Sequence, residues 1–195
     1  MEKSSKIIFP IVLVGFMGAG KTVVGWLVAR ALGVKFVDLD REIERRAGFP
    51  LNEIFNISGE GRFRDLETEA LNELLQAGKR SVIASGGGVV VSGKNRSALK
   101  GGVTCVFLDP PFPFLLSRIR LSGSHLHDLE SVPPSPEAVN SSGSGRPLAD
   151  GATDRELEDL WKSRHPWYEE VAKCLISRTG TIEEIAGEVL NRLSQ

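Results

Sequence analysis

The chain has 195 residues, 41% hydrophobic and 25% charged, which argues for one ordered domain with a sizeable core and against a disordered or coiled-coil chain. A formal net charge of −1 gives no electrostatic case for nucleic acid or an anionic membrane as partner. No uninterrupted apolar run approaches the length of a membrane span. Lys3 and Lys6 ahead of an apolar run look like a short signal peptide. Cleavage there would destroy the glycine loop that follows, so the expected location is cytoplasmic.

In chain order, Ile7 to Val14 is apolar and β-branched and predicts a buried strand. Gly15-Phe16-Met17-Gly18-Ala19-Gly20-Lys21-Thr22 then fits the P-loop pattern, and Val23, Leu27 and Ala31 recur after it at helical spacing. Strand, glycine loop and helix are the context the motif needs. Its backbone N–H groups at Gly18, Ala19 and Gly20 can face phosphate oxygens. Lys21 can reach the β- and γ-phosphates, and Thr22 offers a hydroxyl to Mg²⁺. A ligand-free glycine turn would need neither the lysine nor the helix, so a nucleoside triphosphate site is expected.

Strand and helix alternate through the rest. Lys35 to Asp38 reads as a strand and Asp40 to Arg46 as a helix stopped by Gly48 and Pro50. Leu51 to Asn56 is a short helix. A longer one follows from about Gly59 to Gln76, with Ser58 as cap and Phe63, Leu66, Ala70 and Leu74 as its apolar stripe. Ser81 to Ala84 is a strand running into Gly86-Gly87-Gly88, and Gly93 to Lys100 a polar helix. Val103 to Leu108 is a strand, and Phe112 to Arg120 a helix after two prolines. Residues 122–152 are rich in Ser, Gly and Pro with no apolar period, and read as a loop. Asp154 to Ala172 is helical, Cys174 to Ser177 a last strand, and Ile182 to Leu193 a last helix. This alternation predicts a parallel sheet covered on both faces. Cys105 and Cys174 fall in predicted buried strands with no CxxC spacing, and read as core residues in a reducing compartment.

Several residues outside the loop could carry chemistry. Asp38 and Asp40, if both extended, share one face at the carboxyl edge of the sheet. One could hold Mg²⁺ through water and the other take a proton from a hydroxyl. The plain alternative, that Asp40 caps the next helix, leaves Asp38 unexplained. Arg64 is either a ligand group or a surface residue paired with Glu60 and Glu67, and the surface pairing is the commoner case. Arg164 lies on an inward stripe with Leu157, Leu160, Trp161, Tyr168 and Val171, unless Pro166 kinks the helix. An inward arginine needs an anion, either a buried carboxylate or a bound ligand. The Gly86–Gly88 run permits close backbone approach to a ligand. His125 and His127 have the spacing of a metal pair but no third ligand, and read as solvated.

Taken together, GFMGAGKT at 15–22, DLD at 38–40, Glu60-x-x-Phe63-Arg64-x-x-Glu67, GGG at 86–88, Arg146-Pro147-Leu148 and Arg164-x-Pro166-x-Tyr168 resemble the shikimate kinases. The resemblance covers nearly the whole chain outside residues 122–145. It implies a single P-loop, nucleoside-monophosphate-kinase-like domain, a three-layer α/β/α fold with a five-stranded parallel sheet of order 2-3-1-4-5. Within it, residues 40–67 would form an acceptor-binding region and residues 122–152 a lid insert. It implies transfer of the ATP γ-phosphate to the 3-hydroxyl of shikimate, on the route to chorismate and aromatic amino acids, by a cytoplasmic monomer. Lys21 and Thr22 would handle phosphate and Mg²⁺, with Asp38 on the metal's water shell. Asp40 would hold shikimate hydroxyls and act as base, Arg64 and Arg164 would pair with the carboxylate, and the Gly86–Gly88 backbone would line the ring. Arg146 would reach the phosphates from the lid, and Arg118 would lie against adenine, with Arg178 a further candidate there. Two departures stand out: a much longer segment between Arg118 and Arg146, and a shorter stretch after the last strand. The competing functions are a gluconate or nucleoside monophosphate kinase, and a non-catalytic binding protein on the same fold. Neither kinase class accounts for the DLD, FR and GGG set together.

Overall fold

The computed structural model describes residues 7–122, 151–177 and 179–195. Its elements are β1 (Ile11–Val14), α1 (Lys21–Leu32), β2 (Lys35–Asp38), α2 (Leu39–Ala47), α3 (Leu51–Gln76), β3 (Ser81–Ala84), α4 (Gly93–Lys100), β4 (Thr104–Leu108), α5 (Phe112–Ser122), α6 (Asp154–Val171), β5 (Cys174–Ile176) and α7 (Ile182–Leu193). The five strands form one parallel sheet of order β2-β3-β1-β4-β5, as expected. Helices cover both of its faces: α1 packs with α7, and α4 with α3 and α6. β1 lies at the centre, and all four of its residues are fully buried. A strand covered on both faces reads as a continuous apolar run, which is why Ile11-Val12-Leu13-Val14 has no polar alternation. Among the described residues, no helix is long and apolar enough to cross a membrane.

Local chemistry adjusts several boundaries. β1 starts at Ile11 and not at Ile7, because Pro10 has no N–H for the ladder. α1 presents Val24, Val28 and Ala29 to the core, whereas Val23 and Leu27 are only half-buried and Ala31 is exposed. Gly25 explains this register. A Cβ there would sit 2.9 Å from the Phe36 ring and 3.0 Å from Leu13, so the glycine face is the one pressed on the sheet. α3 joins the two helices expected over 51–76, and the break between them falls at Gly59 (φ 76°, ψ 169°). The tilted rings of Phe55 and Phe63, 4.4 Å apart, tie the two halves together. The buried stripe of the second half is Phe63, Glu67, Ala70 and Leu71, whereas Leu66 and Leu74 are half-buried. α6 runs straight through Pro166. Pro166 and Lys162, whose carbonyl loses its partner, both lie on the exposed side, where water can take over. Cys105 is buried in β4, but Cys174 is only half-buried because β5 is an edge strand.

Parallel strands end on the same side. β1, β2 and β3 therefore deliver the P-loop, Asp38 to Asp40, and Gly86 to Gly88 to a common carboxyl edge.

Candidate active site

The P-loop joins β1 to α1 with glycines in left-handed conformations at Gly18 (φ 83°) and Gly20 (φ 86°). Gly20 is the N-cap of α1 and makes no side-chain cap, so the first N–H groups of the helix stay available to an anion. Gly15 passes so close to β4 that a Cβ would lie 2.5 Å from the Leu108 carbonyl oxygen. Lys21 is buried and its Nζ donates to the Gly15 and Phe16 carbonyls at 2.9 and 3.0 Å, which lays the ammonium across the mouth of the loop. From α5, Arg118 donates to the Gly18 carbonyl at 3.4 Å, and its guanidinium stacks 4.8 Å from the Phe114 ring. Partial burial lowers its pKa. This places Arg118 against the nucleotide loop, where a planar cation can face a base.

Next to the loop, Asp38 and Asp40 have distinct duties. The β2 strand ends at Asp38, whose Oδ1 accepts from the Asp40 and Arg41 N–H groups and caps α2. Capping therefore belongs to Asp38, and Asp40 sits in the first helical turn, so the two are not extended neighbours on one face. The other oxygen of Asp38 accepts from the Thr22 hydroxyl at 2.8 Å. A hydroxyl and a carboxylate side by side at the phosphate loop form a hard-oxygen donor set that suits Mg²⁺. Among the described residues, no three His, Cys, Asp or Glu side chains converge as a metal cage. A Mg²⁺ held here would draw its remaining ligands from phosphate and water, the usual case for this ion. Asp40 is half-buried, and its pKa is raised to about 7 by desolvation first, then by the charges of Asp38 and Glu67, with Lys21 opposing.

The three glycines after β3 bring the remaining groups together. A Cβ on Gly86 would lie 2.6 Å from Asp40 Oδ1 and 3.1 Å from Glu67 Oε1. A Cβ on Gly88 would collide with the Arg64 guanidinium, and one on Gly87 would crowd the Met17 amide nitrogen at 3.3 Å. The missing side chains thus create the contact between the P-loop, the two carboxylates and Arg64. Arg64 donates to Glu60 and Glu67, both at 3.0 Å, as the helical spacing predicts. This is no solvated pair, because Glu67 is fully buried and its pKa is raised by desolvation against the pull of Arg64. Glu67 Oε1 and Arg64 Nε are buried without a protein partner, so the pair retains hydrogen-bonding capacity toward the cleft. Arg164 is buried on α6, and its Nη1 donates to the Gly87 carbonyl at 3.2 Å. Among the described residues it has no carboxylate within ion-pair distance, and burial lowers its pKa. A cation desolvated without an ion pair is a strong reason to look for an anionic ligand.

Lys21, Thr22, Asp38, Asp40, Arg64, Gly86, Gly87, Gly88, Arg118 and Arg164 are thus all placed around one cleft. Arg146, Arg178, His125 and His127 lie outside the described residues. Two side chains did not stand out in the sequence as site residues, Glu67 and Tyr168. Glu67 had a signal: it lies four residues after Phe63 and three before Ala70, on the buried stripe. The Tyr168 hydroxyl donates to the Gly87 carbonyl at 2.5 Å.

Comparison with known proteins agrees with this geometry. The family model described as shikimate kinase matches residues 17–131. The shikimate kinase of Geobacter sulfurreducens is 40% identical over 162 residues, 83% of this chain and 88% of that protein. That of Thermodesulfovibrio yellowstonii is 36% identical over 181 residues, 92% of each chain. Among solved structures, shikimate kinase from Acinetobacter baumannii in complex with shikimate superposes with a TM-score of 0.75 at 36% identity, covering 94% of this chain and 91% of its own.

Proposed function

The chain belongs to the shikimate kinase family, and from that premise we propose how its own residues transfer the γ-phosphate of ATP to the 3-hydroxyl of shikimate. The observation that carries the reading is the cleft at Gly86–Gly88. There Arg164, which has no ion pair among the described residues, and a carboxylate with a pKa near 7, Asp40, meet the edge of the phosphate loop.

Phosphoryl transfer asks the protein mainly for alignment and for positive charge around the moving group. The N–H groups from Gly18 to Thr22 and the Lys21 ammonium surround the phosphates, with Lys21 turning from its own loop carbonyls to their oxygens. Thr22 and Asp38 would hold Mg²⁺, which would offset charge on the phosphates. Arg118 lies along the adenine. On the acceptor side, Arg64 and Arg164 bind the shikimate carboxylate, because two planar forks can meet its two oxygens. Glu67 orients Arg64, and the Gly86–Gly88 backbone lets the ring lie close. Asp40 accepts the proton of the attacking hydroxyl, and a pKa near 7 suits a base at neutral pH. Residues 40–67 form the acceptor-binding region of a single domain. Arg146 keeps the phosphate-binding role that the sequence resemblance gives it. The protein works as a monomer in the cytoplasm.

A coupled ADP-release assay with shikimate, gluconate and CMP tests this reading. Turnover is expected with shikimate alone. Faster turnover with gluconate or CMP, or none with any of the three from folded protein, would overturn it.

A further inference from the structure

The two arginines of the acceptor cleft are held in different ways. Arg64 is paired with two carboxylates, Glu60 and Glu67. Arg164 has no carboxylate of the described residues within ion-pair distance, and it donates to the neutral Gly87 carbonyl. Tyr168 is fully buried, with its ring stacked 5.1 Å from Phe107 of β4. Its own hydroxyl proton goes to the same Gly87 carbonyl. The Gly87 carbonyl, with its two lone pairs, thus accepts from both the phenol and the guanidinium.

The charge consequences are specific. A carboxylate in place of the phenol would also anchor Arg164, but it would neutralise the guanidinium. The phenol stays protonated, because desolvation holds its pKa well above the ordinary tyrosine range. Packing alone does not explain the residue, since phenylalanine would fill the same volume against Phe107.

We propose that Tyr168 is a positioning residue that sets substrate specificity: it fixes the Gly87 carbonyl and Arg164 together while leaving the arginine's charge to be met by the acceptor's carboxylate. This rests on the reading of Arg164 as the partner of that carboxylate. The cleft then discriminates between a carboxylate and its uncharged ester through an arginine that has no competing ion pair among the described residues.

Steady-state kinetics of Tyr168→Phe, Arg164→Ala and the double variant, with shikimate and its methyl ester as acceptors, test the proposal. Tyr168→Phe should raise KM for shikimate about tenfold, the equivalent of about 1.4 kcal/mol and of one hydrogen bond. KM for ATP and kcat should stay within about twofold of wild type, and the ester should respond little, so that preference for the acid shrinks. In the Arg164→Ala background the same change should add nothing. An equal rise for acid, ester and ATP, or a full additional loss in the double variant, would make Tyr168 merely structural. If Arg164→Ala raises KM for shikimate while Tyr168→Phe behaves as wild type, only this proposal fails. If Arg164→Ala itself leaves KM unchanged, the reading of the cleft fails with it. Tyr168 is the chain's one tyrosine, so 3-fluorotyrosine labels this position alone in the otherwise native protein. Its ¹⁹F resonance should shift on adding shikimate and much less with the methyl ester, and equal shifts with both would overturn the proposal.

Discussion

Asp38 and Asp40 show how one turn of backbone separates two identical side chains. Asp38 ends a strand, caps a helix and meets Thr22, so its oxygens are committed to donors. Asp40 lies one helical step further in, with Gly86 on one side and two other acids nearby, and its pKa is raised to about 7. The consequence for pH follows from the sign of that shift. Between about pH 4 and pH 7 the folded protein keeps a proton on Asp40 that an unfolded chain has released. The protonated group therefore favours folding at low pH, and that contribution is lost as pH rises through 7. The proposed role as base, by contrast, requires that the proton has gone. The pH profile of kcat/KM should accordingly show an acid limb near pH 7. Asp40→Asn should lower kcat by roughly 10²–10⁴-fold, the usual worth of a positioned base. Its melting temperature should exceed that of wild type by a margin that grows from pH 5 to pH 8. A margin constant over that range would remove the basis for assigning Asp40 as the base.

At the scale of elements, α3 carries two glycines with opposite meanings. Gly59 (φ 76°, ψ 169°) lies in a backbone region that is almost glycine-only, and a Cβ there would touch nothing. Gly61, two residues on, is helical and also open to solvent. Steric contact is thus equal at the two sites, and only backbone conformation distinguishes them. Gly59→Ala should destabilise by about 1–3 kcal/mol, because the strain has no compensation. Gly61→Ala should stabilise by about 0.4–1 kcal/mol through the entropy of the unfolded chain. Urea denaturation of both variants checks the pair, and the same sign for both would contradict the break at Gly59. The sequence announced two helices here with their junction just before Gly59, and the structure puts the break at Gly59 itself. The sequence also set the α1 face one residue away from the true one, because Gly25 packs on the sheet and carries no apolar signal. Charge pairing was similarly ambiguous. Arg64 with Glu60 and Glu67 has the spacing of an exposed helical pair, and only tertiary packing shows that Glu67 has no exposed surface. The P-loop and the alternation of strand and helix were legible because each is a local pattern, whereas the strand order came from the family resemblance.

Across the whole molecule, the strand order brings β3 beside β1, so the glycine run of the acceptor cleft abuts the phosphate loop. α6, far along the chain, then supplies Arg164 to that junction with no carboxylate of the described residues to pair it. A desolvated cation hydrogen-bonded to a carbonyl, with Glu60 and Glu67 acting on it only beyond ion-pair distance, makes the ligand-free protein less stable than its apolar packing would allow. On the proposed reading an anionic acceptor stabilises the same cation, so stability and binding would oppose each other at one position. Arg164→Met retains much of the side-chain volume and removes the charge, while Tyr168 still satisfies the Gly87 carbonyl. The ligand-free variant should gain about 1 kcal/mol or more, a rise of about 2–4 °C in melting temperature for a chain of this size. Wild type with shikimate at 100 times its dissociation constant should gain about 2.7 kcal/mol, or roughly 5–10 °C. In Arg164→Met most of that ligand-dependent rise should vanish, because losing one partner of a charge-assisted pair costs about 2–5 kcal/mol of binding. ATP should stabilise both proteins alike, since the hydrogen bond that Arg164 donates goes to Gly87 and not to the phosphate loop. Thermal scans of the two proteins with each ligand decide the matter. A variant less stable than wild type without ligand, yet still stabilised fully by shikimate, would show that Arg164 serves the fold and not the acceptor.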